Sequence, residues 1–147
     1  MSKALIIYGS TTGNTEYTAE QIQQEMEAQS WEVNLVNVTN AGVDDLKAEF
    51  DLFLLGASTW GTDEIELQED FESFYESMTE GLSLEGKNFA VFGCGDSDYE
   101  YFCGAVDVIE ERVDKLGARV VGESLRIDGE PEDEEIREWI KGVLNAV

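Results

Sequence analysis

Apolar and polar positions fall in alternating blocks along this chain. Three short, continuously apolar runs, "KALIIY" (3–8), "LFLL" (52–55) and "FAVF" (89–92), read as strands covered on both faces. "WEVNLVNV" (31–38) mixes polar with branched residues and suits an edge strand; the weaker "ARVVGESL" (118–125) predicts a fifth. Helical spacing fills the intervals. Ala19, Ile22 and Met26 share a face of the first helix, and Leu67, Phe71, Phe74, Tyr75 and Met78 make a stripe in a later one. Ala105, Ile109, Val113 and Leu116 form another, stopped at Gly117. The last carries Ile136, Trp139, Ile140, Val143, Leu144 and Val147, entered through Pro131 and an acidic first turn. Around "DDLKAEF" only a short crossover is predicted.

Five strands alternating with helices imply one α/β domain over residues 1–147. The expected architecture is a three-layer, doubly wound, five-stranded parallel sheet of order 2-1-3-4-5 with right-handed crossovers. Ligands of such sheets bind beyond the carboxyl ends of the strands. Unusual residues gather there: "GSTTGNT" (9–15) after strand 1, "GASTWG" (56–61) after strand 3, and "GCGDSDYEYFCG" (93–104) after strand 4. At the opposite ends, loops such as "SLEGKN" read as ordinary turns.

Composition narrows the chemistry. With 33 acidic residues, 9 basic ones and no histidine, the net charge is −24. That charge repels nucleic acid and anionic membrane and favours basic partners. No apolar stretch approaches the ~20 residues of a membrane span, and the N-terminus has no secretory pattern, so a cytoplasmic protein is expected. Two cysteines, Cys94 and Cys103, suit a reduced thiol pair, neither a disulfide framework nor a metal site. The lack of histidine removes Ser-His-Asp and Cys-His catalysis.

The first loop suits a phosphate. Gly9 and Gly13 permit tight turns, Ser10, Thr11, Thr12 and Thr15 bring hydroxyl donors, and a helix starting near Asn14 adds N–H groups and a positive dipole end. It lacks the lysine of a phosphate-transfer loop, which points to a monophosphate held by neutral donors. A capped turn rich in Ser and Thr is the plainer alternative. Trp60, between Thr59 and Gly61, either covers its own protein or offers a platform for a ring; Tyr99, with Tyr101 and Phe102 behind it, could face it. Gly93, Gly95 and Gly104 would let backbone approach such a ring, and main chain near Asp96 and Cys103 could read its polar edge. Cys103 also suits a small buried apolar position.

"ALIIYGSTTGNTEYTAE", "LLGASTWG", "IELQEDF", "FGCGDSDYEYFCGAVDVIEE" and "LRIDGEP" together closely resemble the short-chain flavodoxins of sulfate-reducing anaerobes. Flavodoxins are themselves the stock example of the 2-1-3-4-5 order, with FMN at the switch between strands 1 and 3. The resemblance implies that Ser10, Thr11, Thr12, Gly13, Asn14, Thr15 and Ser58 hold the FMN phosphate. Trp60 and Tyr99 would flank the isoalloxazine, and Thr59, Gly61, Gly93, Gly95, Asp96 and Cys103 would touch its edges or the ribityl chain. Thr62, where an acidic residue is usual, and Asp98, where a serine is usual, depart from the family pattern beside the flavin.

The implied activity is one-electron transfer at low potential between redox proteins by a monomeric carrier, with no catalytic residues and no metal. Gly61, Trp60 and Tyr99 would tune the potentials, Gly61 by turning its carbonyl toward a ring N–H. Asp63, Glu64, Glu66, Asp96, Asp98 and Glu100 would oppose a second negative charge on the ring and guide basic redox partners such as cytochromes, reductases or hydrogenase-type donors. The alternative is an FMN-dependent reductase of quinone reductase type, although little chain is spare for a substrate pocket. A phospho-acceptor receiver would need acids where Gly9–Ser10 and Ser58–Thr59 stand, and a lysine where Ile127–Asp128 stand.

Overall fold

The computed structural model describes residues 2–9, 13–60, 66–67, 69–79, 82–95 and 104–147, with backbone alone at 58–60, 66–67 and 69. The strands are β1 (Lys3–Gly9), β2 (Glu32–Asn37), β3 (Leu52–Trp60), β4 (Glu66–Leu67), β5 (Asn88–Gly95), β6 (Arg119–Val120) and β7 (Leu125–Asp128). The helices are α1 (Asn14–Ala28), α2 (Glu69–Ser77), α3 (Gly104–Lys115) and α4 (Asp133–Ala146). Sheet order is β2-β1-β3-β5-β6, all parallel, with β7 beside β5 beyond β6. Counting β6 and β7 as halves of one strand, this is the expected 2-1-3-4-5 order, and the mixed-polarity β2 stands at an edge.

The continuous apolar runs are explained by what they face. Leu5 and Ile7, Phe53 and Leu55, and Phe89 and Val91 pack with Phe71, Phe74, Ile109 and Val113 of α2 and α3. Their neighbours Ala4 and Ile6, Leu52 and Leu54, and Ala90 and Phe92 pack with Ala19, Ile22, Met26, Ile136 and Ile140 of α1 and α4. Two apolar cores, one on each face, leave no polar position in the stretches 4–7, 52–55 and 89–92 of the central strands. Stacked Phe53 and Phe89, 5.0 Å apart and 13° from parallel, anchor the α2/α3 side.

Three expectations need correction. The predicted fifth strand is broken between β6 and β7, because Gly122 takes a left-handed φ of +66° that no extended run tolerates. β7 then regains pairing with β5 at Phe92–Leu125. Leu67 is not helical: with Glu66 it pairs antiparallel to Trp60 and Thr59, and β3 runs on through most of "GASTWG" to end at Trp60. Val147 lies past α4 and is 42% exposed. The short crossover consists of two 3₁₀ turns, Val38–Asn40 and Val43–Lys47, which bury Val38 and Leu46.

Candidate functional site

The register brings the loop-bearing strand ends onto one rung. Gly9 pairs with Ala57, Ala57 with Gly93, and Gly93 with Arg126. Because these strands are parallel, the segments after Gly9, Trp60 and Gly95 all leave from the same edge. β1 and β3 are neighbours whose connections depart to opposite sides, the switch point where such sheets open a crevice.

At the β1 side, Gly13 is the N-cap of α1 at φ 95°, ψ −10°. Only a residue that accepts left-handed torsions can turn the chain there into the helix, and glycine brings no side-chain oxygen to compete for the helix start. Asn14 and Thr15 form the first turn. Thr15 and Thr18 are fully buried; the Thr18 hydroxyl donates to Asn14 O at 2.8 Å and lies 3.8 Å from Cys94 Sγ. Thr15 also reaches the Cys94 thiol, whose pKa is raised, chiefly by burial. Cys94, a free thiol, thus packs the start of α1 onto β5. The helix dipole and the first-turn N–H groups, which an N-cap without a side chain does not cap, fit a phosphate monoester.

At the β3 and β5 side, Ser58, Thr59 and Trp60 are the last residues of β3, with Ser58 opposite Cys94. Gly93 and Gly95 end β5. Ser10, Thr11, Thr12, Gly61, Asp96, Tyr99 and Cys103 lie outside the described residues, as do Thr62 and Asp98.

One neighbour of this edge carried no site signal in the sequence. Gly129, in the turn between β7 and α4, donates its N–H to Gly95 O at 2.9 Å, and its carbonyl accepts from Asn14 Nδ2 at 3.4 Å. The Asn14 amide is therefore engaged across 115 residues of sequence. Beside it, the hydroxyl of Tyr17 donates to Asp133 Oδ1, and that bond raises the tyrosine pKa. Tyr8, at the end of β1, has its pKa raised by burial and by the 3.1 Å hydrogen bond it donates to Glu16.

Charge is distributed unevenly between the two edges of the sheet. Lys3, Lys87 and Arg119 sit at strand starts, Lys47 ends a 3₁₀ turn, and Arg112 and Lys115 lie at the end of α3, all on the amino edge, where acids accompany them: Lys3 pairs with Glu32, Lys47 with Asp44 and Lys115 with Glu111. The carboxyl edge has Asp128, Glu130, Glu132 and Asp133–Glu135 around the start of α4, and its Arg126 is engaged by Asp107. Tyr17 and Val147 are the large apolar side chains exposed among the described residues, so the described part of the surface offers no broad apolar patch. None of the described helices is long and apolar enough to cross a membrane.

A doubly wound sheet with a phosphate-suited helix start beside two glycine-bearing strand ends defines a mononucleotide-binding α/β protein. Residues 6–141 match the flavodoxin family model. Over full length the chain is 54% identical to the flavodoxin of Maridesulfovibrio salexigens and 45% identical, over 149 residues, to that of Nitratidesulfovibrio vulgaris, covering 100% of each. It superimposes on oxidised flavodoxin 2 from Bacillus cereus with a TM-score of 0.89 at 36% identity, covering 99% of this chain and 100% of that one. The chain belongs to the flavodoxin family: it is an FMN-binding electron-transfer protein, not an enzyme, and the reductase alternative finds no support in these relatives.

Proposed function

We propose that this chain is a single-domain cytoplasmic carrier that binds FMN across the carboxyl edge of β1, β3 and β5 and passes single electrons between basic redox proteins. The observation that carries the placement is the shared rung Gly9–Ala57–Gly93 with α1 beginning just beyond it. Ser10, Thr11, Thr12, Gly13, Asn14, Thr15 and Ser58 are assigned to the phosphate. Trp60 and Tyr99 are assigned to the ring faces, and Thr59, Gly61, Gly93, Gly95, Asp96 and Cys103 to its surroundings.

FMN, when bound, supplies the ring that accepts and releases electrons. The protein's residues do the rest. The α1 start holds the dianion without a compensating cation. Trp60 and Tyr99 exclude water from the ring faces, and Gly61 offers a backbone carbonyl to a ring N–H. The acidic carboxyl edge makes each added electron less favourable and orients the molecule toward cationic partners such as cytochromes, reductases or hydrogenase-type donors.

The test is reconstitution. Apoprotein mixed with FMN should quench flavin fluorescence and stay yellow through dialysis, then exchange electrons rapidly with a basic cytochrome at a rate that falls with salt. Absence of quenching would refute the site, and a salt-independent rate would refute the docking edge.

A further inference from the structure

Gly93 stands on the last rung shared by the central strands, and the space beside it is filled by the protein itself. A Cβ built there would lie 2.6 Å from the Ala57 carbonyl oxygen and 2.8 Å from Val106 Cγ2. Val106 is fully buried in the first turn of α3. One strand further along the rung, the Arg126 guanidinium binds Asp107 Oδ1 and lies 3.9 Å from Glu110 Oε1, while Glu110 also accepts from the Ser124 hydroxyl. Asp107 and Glu110 are one turn apart on α3, so a single arginine can reach both. The opening turns of α3 are therefore held at two points of one rung: by close contact at β5 and by an ion pair at β7. Just past that rung, β3 continues into Ser58–Trp60 and β5 ends at Gly95. α3 thus abuts the strand backbone immediately before the residues assigned to the ring.

We propose that Gly93 and Arg126 are positioning residues that seat α3 against the last rung of the sheet and so set the affinity for the flavin ring. The inference rests on the FMN assignment above. It adds to the place of Gly93 beside the ring a second role, in which its missing Cβ admits α3 close to the sheet.

The full-length apoprotein is titrated with riboflavin in saturating inorganic phosphate, followed by fluorescence quenching, and separately with inorganic phosphate alone. Riboflavin is neutral, so a charge change by itself leaves its binding unaltered. Gly93→Ala overpacks the seat and should weaken riboflavin binding roughly tenfold while phosphate binding changes less than about twofold. Adding Val106→Ala to it should recover part of the loss. Arg126→Gln, at a half-exposed position that does not threaten folding, should weaken riboflavin roughly two- to fivefold with phosphate unaffected. Equal losses for riboflavin and phosphate in Gly93→Ala would mean general destabilisation and overturn the proposal, as would wild-type riboflavin affinity in that variant. If Gly93→Ala does not fold, Arg126→Gln decides by itself: unchanged riboflavin affinity overturns the seat. A wild-type chain that takes up neither FMN nor phosphate overturns the site assignment and the seat together, a result distinct from wild-type binding with insensitive variants.

Discussion

Replacing Gly13 with alanine tests whether the phosphate end of the site depends on backbone torsion. Gly13 caps α1 at φ 95°. An L-residue with a Cβ in left-handed torsions costs about 1–2 kcal/mol, because Cβ crowds the following carbonyl. Unfolding entropy near 2.1 cal/mol/K per residue, taken over 147 residues, converts that cost to a fall in Tm of roughly 3–6 °C. Asparagine tolerates these torsions better, so Gly13→Asn should lose less than half as much. Thermal melts of the apoprotein by circular dichroism read this directly. On the proposed assignment of the α1 start to the phosphate, FMN affinity should fall more in Gly13→Ala than riboflavin affinity does. A melt within about 1 °C of wild type, or equal losses for alanine and asparagine, would refute the torsional argument.

Neutralising Asp63, Glu66 and Asp98 to their amides should raise the second reduction potential. A carboxylate placed ~12 Å from the ring, in an effective dielectric of about 40, would contribute roughly 0.7 kcal/mol, or about 30 mV for one electron. Three should give on the order of 100 mV at low salt in a spectroelectrochemical titration, shrinking as salt is added, and no shift would remove the electrostatic explanation. Gly61→Ala should make the first potential more negative in the same titration, since a Cβ penalises the turned peptide; an unchanged value rules out the carbonyl role. The buried Cys94 thiol has a pKa raised above 9.0, so its contribution to stability is fully present below pH 9 and is lost as pH climbs through the folded value. Urea midpoints should therefore fall less between pH 7 and pH 10 in Cys94→Ala than in wild type, and parallel declines would contradict the assignment.

The chain alone determined which segments would be strands and helices, because apolar spacing of two, of 3.6 or none at all is a local property. It also placed β2 at an edge through its polar positions, and located three donor-rich or glycine-rich segments at strand ends. From these, order and switch point followed, since parallel crossovers allow few arrangements. Tertiary structure decided what depends on the distance between segments far apart in the chain. The antiparallel pairing that captures Leu67, the break at Gly122, the hold of Gly129 on Asn14 and Gly95, and the packing of Val106 where Gly93 has no side chain are all of this kind. A glycine in a sequence reports that a side chain is missing there; only the packed molecule shows whose atoms fill the space.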